Sequence, residues 1–123
     1  MVRSPRGKTL GDMIREARVG KAMTLRDLAS KLGKTASYLS DIENDRRIPS
    51  EEMLRDLSRL LSLDFNDLMA RAGRLGEEAL RYMSRTPAAG VLFRKLSEDD
   101  ATEEVIDELT RVADKLSKRK REE

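Results

Sequence analysis

The sequence predicts an all-α fold: five short helices packed as one domain, followed by a helical extension. Three observations carry that expectation. Apolar residues recur at helical spacing in segment after segment. Thr9, Thr35, Ser50 and Asp64 stand directly ahead of such segments, where helix N-caps belong. Hydrophobic residues make up 38% and charged ones 39% of the 123 residues, which suits small helical units with wide solvated faces.

Composition also excludes several classes. There is no Cys, hence no disulfide framework and no thiolate chemistry. There is no His, so imidazole bases and the commonest metal ligand are missing. The carboxylates are scattered over caps and solvated faces, so no catalytic residue, metal or cofactor is expected. The six Met residues read as core filler. With no Trp, two Tyr and two Phe, the chain lacks a stacking platform for single-stranded nucleic acid. No apolar run approaches the roughly 18 residues of a membrane span, and residues 1–8 lack the apolar segment of a signal peptide. A cytoplasmic protein with no membrane contact is therefore expected. Residues 1–73 hold 14 Lys+Arg against 11 Asp+Glu, and residues 74–123 hold 11 against 12. For a nucleic-acid partner, a basic face counts for more than a basic average.

In chain order, residues 1–8 read as a flexible basic arm carrying Arg3, Arg6 and Lys8, either a disordered terminus or a strap for DNA. Thr9 and Asp12 form the T-x-x-D start of a capping box, and Leu10, Met13, Ile14 and Ala17 give the first helix its core stripe. Leu25, Leu28, Ala29 and Leu32 form the apolar face of the second helix, which Gly33 stops by supplying φ > 0. Thr35 caps a third helix with Leu39 and Ile42 inward and Ala36, Ser37, Ser40 and Asp41 outward. Ser50 caps a fourth, with Glu51 and Glu52 in its first turn and Met53, Leu54, Leu57, Leu60 and Leu61 on its apolar face. Asp64 caps a fifth, with Leu68, Met69 and Ala72 inward, Leu63 stapled onto Leu68, and Gly73 closing the domain.

Two short helices joined by a tight turn, one face buried and the other small and polar, make a helix-turn-helix layout. Leu28, Ala29, Gly33, Leu39 and Ile42, with Arg18 upstream and IENDRRIPS downstream, carry a resemblance to the DNA-binding domain of phage repressors and their bacterial relatives, the Cro/repressor or XRE class. The resemblance spans residues 8–73. Leu25 stands where many relatives carry a phosphate-binding Gln, and Ala22 and Asp45 replace turn glycines.

The resemblance implies a five-helix lambda-repressor-like domain over residues 9–73 that binds double-stranded DNA, its third helix in the major groove. The base-reading positions would be Ala36, Ser37, Ser40 and Asp41. Ser donates or accepts, Ala meets a thymine methyl, and Asp accepts from cytosine N4. Phosphate contacts would fall to Thr24, Arg26, Lys34, Thr35, Tyr38, Asn44, Arg46 and Arg47. The resemblance also implies a pair between Arg18 and Glu43; the residues alone leave open two separate solvated charges.

Residues 74–123 form a helical extension. One helix, over about residues 76–84, carries Ala79, Leu80 and Met83; Pro87 opens another with Val91, Leu92, Phe93 and Leu96. A long last helix, to about Ser117, carries Val105, Ile106, Leu109, Val112 and Leu116 as a seam. Lys118, Arg119, Lys120 and Arg121 end it as a solvated terminus or a second nucleic-acid contact. The seam either makes a homodimer, folds back on its own chain, or receives a regulatory protein partner. The functional expectation is a transcriptional repressor dimer on a palindromic operator; an antitoxin-like or adaptor module using the same fold is the alternative.

Overall fold

A computed structural model describes residues 8–123; most of the basic arm expected over residues 1–8 lies outside the described residues. The described residues form helices α1 (Leu10–Gly20), α2 (Leu25–Leu32), α3 (Ala36–Glu43), α4 (Glu51–Leu61), α5 (Phe65–Arg71), α6 (Glu77–Arg85), α7 (Pro87–Glu98) and α8 (Glu103–Glu122), and no strand. They divide into two compact units whose boundary falls inside α6, between Ala79 and Leu80. None of these helices is long and apolar enough to cross a membrane.

The helix starts of the first unit follow from side-chain caps. Thr9 accepts from the Asp12 N–H while the Asp12 carboxylate accepts from the Thr9 N–H, a full capping box on α1. Thr24 and Asp27 repeat the device on α2. Thr35, Ser50 and Asp64 cap α3, α4 and α5 through the N–H three residues on. Each such cap is worth about 1 kcal/mol.

Behind the caps lies one apolar core. Ile14 of α1, Leu28 of α2, Leu39 and Ile42 of α3, Leu54 and Leu57 of α4 and Leu68 of α5 are fully buried. Burying one such side chain contributes about 1.5–3 kcal/mol. Helix α3 packs against both α1 and α2, and α4 packs against α1 and α5. This leaves the opposite face of α3 free of the core.

Two turns show how the backbone is held. Gly33 ends α2 at φ 67°, a conformation that costs glycine nothing. Ala22 and Asp45, which replace turn glycines of the resembling family, adopt the same left-handed region at φ 55° and 58°. Asp45 compensates for its strain: its carboxylate accepts from Thr9 Oγ1 at 2.7 Å and from the Gly11 N–H at 2.9 Å, tying the chain after α3 to the start of α1.

In the second unit, Pro87 occupies the first turn of α7, where its missing N–H costs nothing. Thr102 caps α8, which runs five residues past the end expected from the sequence. No residue of α7 or α8 is buried. Val91 on α7 is 66% exposed, and along α8 Val105, Ile106, Leu109, Val112 and Leu116 lie open to solvent, between 38% and 53% exposed.

Candidate nucleic-acid interface

The candidate site is built on α3. Its buried side is Leu39, Ile42 and Glu43; Ala36, Ser37, Ser40 and Asp41 occupy the side away from the core, at positions that a 3.6-residue repeat brings together. Ser37 is exposed and the other three are half-buried. Small side chains leave this face without bulk that would keep a duplex away.

Basic groups flank the face. Lys34 Nζ lies 5.4 Å from the Tyr38 ring centroid and the Arg47 guanidinium 4.8 Å from the same ring. Tyr38 therefore holds two cations near the start of α3 by cation–π attraction, worth about 0.5–1 kcal/mol each at exposed sites. Arg46 Nη1 sits 3.6 Å from Asp41 Oδ1 and offsets the one negative charge on the face. Both groups are solvated, so this pair contributes well under about 1 kcal/mol and breaks easily for a phosphate. Arg26 is exposed on α2. Thr24 and Thr35 use their hydroxyl oxygens to accept backbone N–H bonds; the Thr24 hydroxyl proton bonds the Asp27 carboxylate, whereas Thr35 keeps its proton for a phosphate.

Glu43 anchors α3 from behind. Only 3% exposed, it accepts from Arg18 Nε at 2.7 Å and from Arg18 Nη2 at 3.0 Å, a two-pronged guanidinium–carboxylate pair. Arg18 Nη1 also donates to the Met23 carbonyl at 2.8 Å, so one side chain joins α1, the α1–α2 turn and α3. The hydrogen bonds to Glu43 raise the Arg18 pKa above its ordinary value; burial opposes this and attraction to the same carboxylate adds to it.

Three features went unread in the sequence. Gly11 lets the helices approach: a Cβ there would lie 2.4 Å from the Glu43 carbonyl oxygen and 2.8 Å from that of Ile42. A glycine inside a helical stripe, costing about 1 kcal/mol relative to alanine, was the available signal. Arg15 Nε lies 3.5 Å from Glu43 Oε1, and its Nη2 donates to Asn44 Oδ1 at 3.0 Å. The Asn44 amide, expected on a phosphate, donates within the chain to the Ser40 carbonyl at 2.8 Å and to Ser40 Oγ at 3.3 Å.

Residues 11–74, just over half of the chain, match the helix-turn-helix domain family. The chain belongs to the XRE-type helix-turn-helix family of DNA-binding transcription regulators. It is similar to the ImmF control region 10 kDa protein of Bacillus phage phi105, 39% identical over 72 residues that cover 58% of this chain and 80% of the relative. It is also similar to the transcriptional regulator ClgR of Mycobacterium tuberculosis, 32% identical over 81 residues, covering 66% of this chain and 72% of that one. The crystal structure of the clp gene regulator ClgR from Corynebacterium glutamicum aligns with a TM-score of 0.46 at 28% identity, over 76% of this chain and 92% of that chain. The second helix of the matched helix-turn-helix motif is α3.

Proposed function

We propose that this regulator is a repressor that binds a palindromic operator as a homodimer, reading bases with α3 and dimerising through residues 74–123. The observation that carries the DNA half is the outward face of α3: small polar residues flanked by Lys34, Arg46 and Arg47, backed by the buried Arg18–Glu43 anchor. Ala36, Ser37, Ser40 and Asp41 take the base edges. Thr24, Arg26, Lys34, Thr35, Tyr38, Arg46 and Arg47 take the phosphates, with Arg46 leaving Asp41 as it does so. Repression follows from occupancy, since a dimer seated on an operator denies it to polymerase.

The dimer half rests on α8. Its five apolar side chains repeat at a/d spacing with a flank and stay exposed. Two recognition helices one helical turn apart would read two half-sites, a stronger discrimination than α3 achieves alone. A regulatory protein acting on the same extension would compete for this seam.

The test has two arms. Gel shifts of full-length protein on genomic fragments should show retained, salt-sensitive complexes; no retention on any fragment favours the adaptor reading. Sedimentation at tens of micromolar should give a dimer that is lost when the chain ends at Gly73. A full-length monomer, or an equally tight truncated dimer, would refute the assembly.

A further inference from the structure

Ser is an ambiguous reader of bases, because its hydroxyl both donates and accepts. In this chain the ambiguity at Ser40 is reduced by a relay that begins in the core. Buried Glu43 draws Arg15 Nε to 3.5 Å, and the same guanidinium donates through Nη2 to Asn44 Oδ1 at 3.0 Å. A guanidinium carries donors only, so the Asn44 oxygen must face Arg15 and the NH2 must face Ser40. That NH2 donates to the Ser40 carbonyl at 2.8 Å and to Ser40 Oγ at 3.3 Å. A hydroxyl oxygen that already accepts on its Asn44 side has one lone pair left and points its own proton away from that NH2, and Ser40 is half-buried, outside the buried side of α3 formed by Leu39, Ile42 and Glu43.

We infer that Asn44 is a positioning residue for base reading: it sets the Ser40 hydroxyl as a hydrogen-bond donor, directed at a base that presents an acceptor. Guanine, through N7 and O6, and thymine, through O4, are bases of that kind; cytosine, which presents N4–H2, is not. Beside it Asp41, acceptor-only when ionised, supplies the opposite polarity. The two neighbouring side chains thus present one donor and one acceptor. This assignment rests on the proposed placement of α3 in the major groove, and it gives Asn44 a task other than a phosphate contact.

The experiment is selection of full-length protein on a randomised duplex pool, followed by sequencing, for the parent and for Ser40→Ala, Asn44→Ala and Asn44→Asp. Ser40→Ala and Asn44→Ala should relax discrimination at one and the same base pair, by about tenfold. The salt dependence of binding should not change, since neither residue neutralises a phosphate. Asn44→Asp keeps an acceptor for Arg15 but offers Ser40 no N–H, so the serine proton turns toward the new carboxylate. The preferred base at that pair should then move from guanine or thymine to cytosine or adenine, which present N4–H2 and N6–H2 donors. An Asn44→Ala variant that loses affinity evenly on all sequences would overturn the assignment in favour of a backbone contact. Unchanged preference in both Asn44 variants would overturn it as well. A parent chain that selects no sequence at all would instead remove the α3 reading on which the assignment stands.

Discussion

Arg18 and Glu43 lie 25 residues apart in sequence and meet through two hydrogen bonds, with the carboxylate almost wholly withdrawn from water. Removing Arg18 leaves that carboxylate with Arg15 as a more distant partner at 3.5 Å. Arg18→Ala should cost about 3 kcal/mol, and Glu43→Ala less, because Arg18 keeps the Met23 carbonyl and a route to solvent. Chemical denaturation of both single variants and the double variant should show the double costing less than their sum; strict additivity would reject the coupling. Gly11→Ala should destabilise by about 2–3 kcal/mol, as its Cβ would meet backbone that cannot swing aside. A melting temperature equal to the parent's would contradict the close approach of α1 and α3. Asp27 supplies a pH dependence. Its bonds from the Thr24 backbone and hydroxyl hold its carboxyl below the ordinary carboxylate range. A depressed folded-state pKa contributes stability above the unfolded value, and that contribution is lost as pH falls through the folded one. Asp27→Asn should therefore melt below the parent at neutral pH, with the gap closing as pH falls below the ordinary carboxylate range. A gap that persists in acid would assign the effect to packing.

The elements were legible wherever a cap and a stripe coincide. Thr9, Thr35, Ser50 and Asp64 each start a helix, and Gly33 stops one, because local chemistry at those positions needs no distant partner. The end of α8 was less legible: Lys118 to Arg121 carry no apolar periodicity, yet strong helix formers and a favourable dipole carry the helix on to Glu122. The outward face of α3 could be read from its period. The relay behind it could not, since Arg15 and Asn44 are 29 residues apart and only the packing of α1 on α3 brings them together. Asp45 hid for the same reason: its 34-residue reach to the Gly11 N–H replaces by side-chain bonding what a glycine would supply by backbone freedom.

At the scale of the molecule the two units differ in kind. Among the described residues, the first buries a core of 13 hydrophobic residues, whereas α7 and α8 bury none. The exposed seam on α8 is the feature with the most to gain from a second copy. Leu109→Asp should convert dimer to monomer in sedimentation and weaken operator binding, while the circular dichroism of the first five helices persists. A dimer that survives this substitution would place the assembly elsewhere. The central claim, that α3 reads duplex DNA with Arg46 and Arg47 on the backbone, is tested most directly by fluorescence anisotropy on a selected duplex across a range of salt. The account predicts that replacing both arginines with alanine weakens binding on every sequence alike and lowers the slope of log K against log salt by about two. A double variant that binds as tightly as the parent at moderate salt, with the same slope, would contradict it.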